Sequence, residues 1–389
     1  MLSSNSHLPL ATSLTPKIAI VHDWLTNLGG AERVVLALKE AFPQADIFTS
    51  VYEPDTLLAE AFRGLDVHTT WLQKLPRPLR KFHKIVPMLR VRAFRDLDLS
   101  AYDVIISSSS AESKQVRKTR DGQTHICYCH TPIRYYWVDP QSYMKDPGLG
   151  WLNWPARIGF WLMKPLLKRA DYRAAQAVDT FVANSTEVQK RITRYYDRAS
   201  VVIHPPVQYE RFAPHAKRLS ERNYYLAHGR QVLPYKTPEI AIRACNELHL
   251  PLIVSGGGPD HERLKSIAGP NVTFEHFPSD ARVNELFGGA KGYIFPIKED
   301  FGIVQVEALA AGTPVIAYAH GGSEDIIRDG EGGVTFEPRT TTALVASLQR
   351  FETLSFQPAA MQRLAKRFHK NLFIQKIRKV VRDTAKEGA

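Results

Sequence analysis

Tyr293-Ile294-Phe295-Pro296-Ile297-Lys298-Glu299-Asp300-Phe301-Gly302-Ile303-Val304-Gln305-Val306-Glu307 runs on into Ala308-Leu309-Ala310-Ala311-Gly312. The apolar start predicts a buried strand. The apolar run after Gly302 predicts a helix that stops at Gly312, with Pro314 just beyond. Asp300 is placed to cap that helix through its carboxylate, which leaves the N–H groups of Phe301, Gly302 and Ile303 as the first open donors. Gly302 has no Cβ, so a ligand can come close to the backbone there. Open N–H groups at a helix start bind anions, phosphate above all. Two acids frame the place: Glu299 in the loop before the helix and Glu307 about two turns along it. Carboxylates accept hydrogen bonds from hydroxyls, so the stretch suits a ligand carrying both phosphates and sugars. The same two acids read equally well as a solvated loop acid and a helix-surface acid.

Glu299 and Glu307, with Phe301-Gly302 between them, lead into Ala308-Leu309-Ala310-Ala311-Gly312-Thr313-Pro314-Val315-Ile316-Ala317 and then Gly321-Gly322. This pattern resembles the donor-site motif of family 4 retaining glycosyltransferases. The resemblance implies the α/β GT-B architecture: two Rossmann-like domains with parallel sheets facing across a cleft. It also implies that Glu299, Phe301, Gly302, Ile303, Val304 and Glu307 contact a nucleotide-sugar donor.

The rest of the chain fits that size and class. Its 389 residues suffice for two domains with full cores. No run approaches the ~20 consecutive apolar residues of a membrane span. The first sixteen residues are polar and turn-prone, with no basic start and no long apolar core, and read as a disordered tail. Three cysteines, Cys127, Cys129 and Cys245, suggest a reducing compartment. The net charge of +12 calls for a partner or an explanation. Its densest source is residues 74–95, where Lys74, Arg77, Arg80, Lys81, Lys84, Arg90, Arg92 and Arg95 alternate with Leu75, Leu79, Phe82, Met88 and Phe94 and no acid intervenes. That mixture reads as an anionic membrane surface or as a plain solvated basic helix pair. No nucleic-acid fold signature accompanies it.

In chain order, Lys17 to His22 predicts a buried strand, Asp23 to Gly30 a loop, and Ala31 to Phe42 a helix. Gly29 and Gly30 at that helix start suit a phosphate or a simple turn; the resemblance assigns them to a loop over the donor. Strands follow at 46–51 and 103–110. Ile126 to Cys129 is a strand ending at His130. Its two cysteines lie on one face and read as core, since the spacing lacks a second zinc-ligand pair. His130 sits at a carboxyl strand end, where α/β folds bind ligands. The segment from Cys127 to Trp137 resembles mannosyltransferases that build bacterial surface polysaccharides, and implies that His130 contacts the transferred sugar. Residues 151–169, rich in Trp and Leu, read as a helix pair lining an acceptor groove or as core helix.

The pattern restarts after Pro205-Pro206 with Tyr224 to His228, then Gly229 and Arg230. Arg230 and Lys236 are natural partners for a diphosphate, and the resemblance places them there with Gly229. Gly256-Gly257-Gly258-Pro259 fails Gly-x-Gly-x-x-Gly, which argues against a nicotinamide cofactor. Gly257 and Phe277 are placed on the donor side. The expected organisation is a tail at 1–16, an acceptor-side domain at 17–205, a donor domain at 206–365, and a basic helix at 366–389 crossing back to the first domain.

By resemblance the protein moves mannose from GDP-mannose, with retention, onto a lipid-linked saccharide at the inner face of the cytoplasmic membrane. His130, Glu299, Arg230 and Lys236 are the catalytic candidates. No metal or other cofactor is expected, because cations and helix N–H groups meet the leaving diphosphate. The alternatives are a UDP-sugar donor, a GT-B sugar-nucleotide epimerase, and a non-catalytic nucleotide-sugar or membrane-binding protein.

Overall fold

The computed structural model describes residues 16–77, 80, 87–140, 153–233 and 237–387. The expected tail, apart from Pro16, lies outside them, as do Lys236 and part of the basic stretch.

The apolar runs become two parallel sheets. The first has the strand order β3-β2-β1-β4-β5-β6-β7. Its strands are β1 (Ile18–His22), β2 (Asp46–Thr49), β3 (Val67–Thr69), β4 (Val104–Ser109), β5 (Thr124–Cys129), β6 (Thr180–Ala183) and β7 (Ser200–Val202). The second has the order β10-β9-β8-β11-β12-β13. It is built from β8 (Tyr224–His228), β9 (Leu252–Gly256), β10 (Val272–His276), β11 (Ala290–Phe295), β12 (Val315–Tyr318) and β13 (Gly333–Phe336). β1, β4 and β5 are buried along their whole length, as strands covered by helices on both faces must be.

Ten described helices have eight residues or more. They are α1 (Gly30–Ala41), α2 (Pro87–Arg95), α3 (Asn153–Gln176), α4 (Thr186–Tyr196), α5 (Glu239–Glu247), α6 (Asp280–Gly289), α7 (Ile303–Ala310), α8 (Thr341–Glu352), α9 (Pro358–Ala365) and α10 (Lys370–Glu387). α10 leaves the second sheet and packs on α1. Its Phe373, Ile374, Ile377 and Val381 share a core with Ile20, Val34, Ile47 and Tyr128 of the first domain.

In each sheet the chain first builds outward to one side of a central strand and then returns to build the other. The strand order therefore reverses between β1 and β4, and again between β8 and β11. Loops leaving neighbouring strands in opposite directions open a crevice at such a point, and α/β sheets bind ligands there. The two crevices face one another.

Three expectations change. Asp300 does not cap α7. The cap position is Gly302, in the left-handed conformation at φ 83° and ψ 57°, and the Asp300 carboxylate instead receives Arg134 Nη2 at 2.7 Å and the Arg191 guanidinium. Two guanidiniums compete for that carboxylate better than backbone N–H groups do. The expected helix pair at 151–169 is, in its described part, one helix, α3, running through Pro165. In the basic stretch, Arg90 is not a surface cation. It is 1% exposed and sits on the Glu112 carboxylate at 2.6 Å, while Val91, Ala93 and Phe94 of α2 face the core.

Candidate active site

The crevices enclose a cavity of about 490 Å³. From the second domain its wall includes Gly229, Arg230, Glu299, Phe301, Gly302, Ile303 and Val304; from the first it includes Gly30, His130, Arg134 and Asn184. A second cavity of about 310 Å³ shares His228, Gly229 and Arg230 with it and adds Arg33, Gly257, Phe277 and Glu307. The sequence-derived donor residues thus line one branched cleft. The exceptions are Gly29, which sits just behind it, and Lys236, which lies outside the described residues.

The second-domain wall is organised by the start of α7. The first N–H groups of a helix have no acceptor inside it, and here those of Ile303 and Val304 open on the cavity. Gly302 is required twice over. Its φ of 83° strains any side-chain-bearing residue, and a Cβ there would stand 2.5 Å from Gln305 Nε2. Arg230 is exposed at the cavity rim, and among the described residues no carboxylate pairs with it. Its charge is free for a diphosphate. In the branch cavity, the Phe277 ring is 71% exposed and lies against Gly257, where a Cβ would meet ring atoms at 2.5 Å. The ring rests on the bare backbone of Gly257, which leaves its outer face open for a planar group to stack on. Glu307 lines the branch cavity. Burial raises its pKa above the ordinary carboxylate range, against the attraction of Arg33, whose Nη1 is 3.8 Å away.

On the first-domain wall His130 follows β5 and is lodged by Ser108 Oγ, 2.8 Å from its Nε2. Burial, and then the nearby His22, push its pKa down to about 4, so near neutral pH it is an uncharged imidazole. Such a ring can bond a sugar hydroxyl without competing for the phosphates. Gly29 does not offer its N–H to the cleft, because the Glu32 carboxylate takes it at 2.9 Å. Gly30 does line the cavity.

Several residues around the cleft were absent from the sequence reading. Asp23, just past β1, is 1% exposed, and its carboxylate receives the N–H groups of Ser110, Ala111 and Ser113 at 2.7 to 2.8 Å. It pins the loop after β4. Beside it His22 stands 3.7 Å from Glu32. Burial alone would lower the His22 pKa, but the bond to Glu32 and the charges of Glu32 and Asp23 raise it. Both residues occupy a carboxyl strand end at the switch point. The rule that singled out His130 would have found them too.

Arg134 was also missed as a site residue. It opens a single π-turn, Arg134–Val138, a backbone form that recurs at functional sites. Two buried acids hold that turn. Glu112 accepts from the Tyr135 hydroxyl and from Arg90. Asp171, 0% exposed, takes Lys114 Nζ at 2.5 Å and the Trp137 Nε1–H and Tyr196 hydroxyl at 2.8 Å each. Arg134 thereby reaches Asp300 across the cleft. Ser185 Oγ donates to the Asp300 carbonyl, and the Thr186 N–H and His204 meet the Asp325 carboxylate at 2.8 and 3.2 Å. These polar contacts join the domains at the back of the cleft. Among the described residues no group of three or more His, Cys, Asp or Glu side chains gathers as a metal site would.

Such a cleft, with an open helix start, an exposed arginine, acids at hydrogen-bonding distance from its space and an exposed aromatic ring, has the chemistry to take a ligand carrying phosphates and hydroxyls between two Rossmann-like domains. Comparisons with known proteins agree. Residues 28–211 match the family described as Glycosyltransferase Family 4, and residues 210–371 match Glycosyl transferases group 1. The fold is GT-B, and the two matches, which together span residues 28–371, support a glycosyltransferase of the family 4 type.

Among curated relatives, it is similar to the D-inositol 3-phosphate glycosyltransferase of Streptomyces griseus, 28% identical over 222 residues that cover 45% of this chain and 46% of that protein. The same enzyme of Mycobacterium leprae is 31% identical over 194 residues, 43% of this chain and 45% of the relative. The chain thus spans about half the length of the curated relatives it matches. Among solved structures, Anabaena HepE in complex with UDP-glucose superposes with a TM-score of 0.67 at 16% identity, over 94% of this chain and 99% of that one. The lipopolysaccharide outer core galactosyltransferase WaaB gives 0.66 at 15% identity, over 94% and 99%. At such identities the likeness is one of fold.

Proposed function

We propose that the protein transfers a hexosyl unit from a nucleoside diphosphate sugar to a hydroxyl of a lipid-linked saccharide, with retention of configuration. The observation that carries this is the convergence of the α7 N-terminus, Arg230, Glu299 and Glu307 from one domain with His130 from the other on a single cleft. The diphosphate sits at the N–H groups of Ile303 and Val304 with Arg230 beside it. As the bond to the sugar breaks, negative charge grows on the leaving phosphate, and these donors stabilise it in place. Glu307 accepts from ribose hydroxyls. Glu299 holds the sugar on one side and neutral His130 on the other. No metal is needed for this charge to be met, and Lys236 is positioned by the family resemblance to add to it.

GDP-mannose is the donor implied by the segment from Cys127 to Trp137. A UDP-sugar is the second reading, favoured by the complexes of HepE with UDP and UDP-glucose. Thermal stabilisation by GDP, GDP-mannose, UDP and UDP-glucose separates them. A ligand at 100 times its Kd adds about 2.7 kcal/mol. Stabilisation by GDP species and its loss in Glu307→Ala supports the mannosyl reading. Stabilisation by UDP species replaces the donor and keeps the mechanism. No response to any of them overturns the assignment. Donor consumed with no acceptor present, yielding an isomeric nucleotide sugar, would make the protein an epimerase.

A further inference from the structure

α3 carries apolar residues on two opposite faces. The inner face is accounted for: Leu167 is buried, and Phe160 and Met163 pack with it against Tyr135, Tyr136 and Val91, behind the π-turn that presents Arg134 to the cleft. The outer face is not. Trp154, Trp161, Leu162 and Leu166 are 71, 63, 60 and 61% exposed, and Ile158 is exposed between them. At 100° per residue these five side chains fall on one stripe of the helix, and no other described element covers it. Isolated exposed apolar residues are ordinary, but a contiguous stripe with two tryptophans marks a contact surface.

The charges around the stripe name the partner. From Asn153 to Ala170 the helix has Arg157, Lys164, Lys168 and Arg169 and no acid, and Asp171 beyond them is buried on Lys114. Arg173 follows, and after burial the charges of Arg117 and Arg173 lower the Arg95 pKa. Among the described residues no carboxylate pairs with Arg157, Lys164, Lys168 or Arg169, and Lys168 Nζ lies over the Trp137 ring, so the flank of the stripe keeps a net positive charge that an anionic surface would attract. Tryptophan prefers the boundary between hydrocarbon and water, and bases flanking an apolar helical stripe attract anionic headgroups. Among the described residues no helix is long and apolar enough to cross a bilayer. α2, in the basic stretch, does not offer an equivalent stripe, because Arg90, Val91, Ala93 and Phe94 face inward.

We propose that the outer face of α3, through Trp154, Ile158, Trp161, Leu162 and Leu166, lies in the interface of an anionic lipid bilayer. This deepens the reading of the cleft as one that serves a lipid-linked acceptor and rests on that reading for its purpose. The surface itself is tested without transfer. Face-down docking sets the helix on the lipid while its inner face supports the turn that carries Arg134, so a saccharide held at the membrane meets the cleft from that side.

The test is co-sedimentation of the full chain with phosphatidylcholine vesicles, with and without phosphatidylglycerol. Binding is expected only with the anionic lipid. It should weaken about fivefold for each cation removed in Arg157→Gln and Lys164→Gln, weaken at high salt, and vanish in Trp154→Ser/Trp161→Ser. Nucleotide stabilisation of these variants should match the parent. Quenching of tryptophan fluorescence by brominated lipid in the unaltered protein provides a readout that does not depend on the variants folding. Equal binding to neutral and anionic vesicles, undiminished binding of the tryptophan variant, or no quenching overturns the proposal. So does a dimer of the parent that becomes a monomer in the tryptophan variant, since a second copy would then cover the stripe. Failure here with nucleotide stabilisation intact leaves the glycosyl-transfer reading standing; the reverse result removes that reading and keeps the membrane surface.

Discussion

Replacing Gly302 with alanine tests the site at its organising point. The residue holds φ 83° and ψ 57° as the cap of α7, and a side-chain-bearing residue pays about 1–2 kcal/mol in that conformation. The added Cβ would also sit 2.5 Å from Gln305 Nε2 and 3.3 Å from the Phe295 ring. The ring is fixed in the core. The Gln305 amide has no hydrogen-bond partner among the described residues, so it can yield at the cost of an off-rotamer torsion, about 0.5–1.5 kcal/mol. The total, about 1.5–3.5 kcal/mol, lowers the unfolding midpoint by roughly 3–14 °C for a domain of this size.

The functional loss is larger than the stability loss. Relief of the strain at this cap turns the N–H groups of Ile303 and Val304 away from their present direction, and those groups are the ones proposed to meet the phosphate. Thermal scans of Gly302→Ala with and without saturating donor nucleotide read both effects. The unliganded midpoint should fall within that range, and the increment from nucleotide, about 2.7 kcal/mol in the parent at 100 times Kd, should disappear at the same concentration. An unchanged midpoint would mean the left-handed cap is not required. A lowered midpoint with the full nucleotide increment would mean the diphosphate does not sit at this helix start.

Asp171→Ala leaves the Lys114 ammonium buried without its carboxylate and should cost about 3–5 kcal/mol in urea unfolding, whereas Lys114→Met/Asp171→Leu should recover only part of it, because the Trp137 Nε1–H and the Tyr196 hydroxyl still lose their acceptor. Burial alone would raise the Asp300 pKa, but Arg134 and Arg191 hold it below the ordinary range. The folded value lies beneath the unfolded ~3.9, so its contribution is present above that pH and lost as pH falls through the folded value. Acid unfolding below about pH 4 should flatten in Asp300→Asn. Glu307 has the opposite shift. Nucleotide that bonds its charged form should bind more tightly as pH rises through the raised pKa, and isothermal titration across pH 5 to 8 should show that slope in the parent and not in Glu307→Gln. His130→Ala should lower the transfer rate by about 10²-fold or more while leaving nucleotide affinity unchanged if, as proposed, the ring meets the sugar and not the phosphates.

What could be read in advance was local. Strand–loop–helix alternation and the run from Tyr293 to Gly312 gave both sheets and the donor wall, because period, β-branching and glycine placement act within a dozen residues. Asp300 was misassigned because its partners, Arg134 and Arg191, lie 166 and 109 residues away, and a carboxylate beside a helix start looks like a cap until those guanidiniums are in place. Arg90 failed for the same reason: only the fold brings Glu112 to it. The outer stripe of α3 was hidden by the inner one, since a helix apolar on two faces reads simply as buried. His22 and Asp23 were legible and overlooked. They end a strand next to the glycine loop, and the strand-end rule covers them as it covers His130.

α10 has a consequence for how the protein is made. Phe373, Ile374, Ile377 and Val381 complete a core whose other members lie between Ile18 and Ile203. During synthesis the first domain emerges early yet lacks a wall of its interior until residues 373–381 have left the ribosome, whereas the second sheet, closed by Phe336 and the helices just after it, can consolidate sooner. The half translated first is then the half that finishes last, and for that interval its unfilled apolar face is the part of the nascent chain in most need of a chaperone.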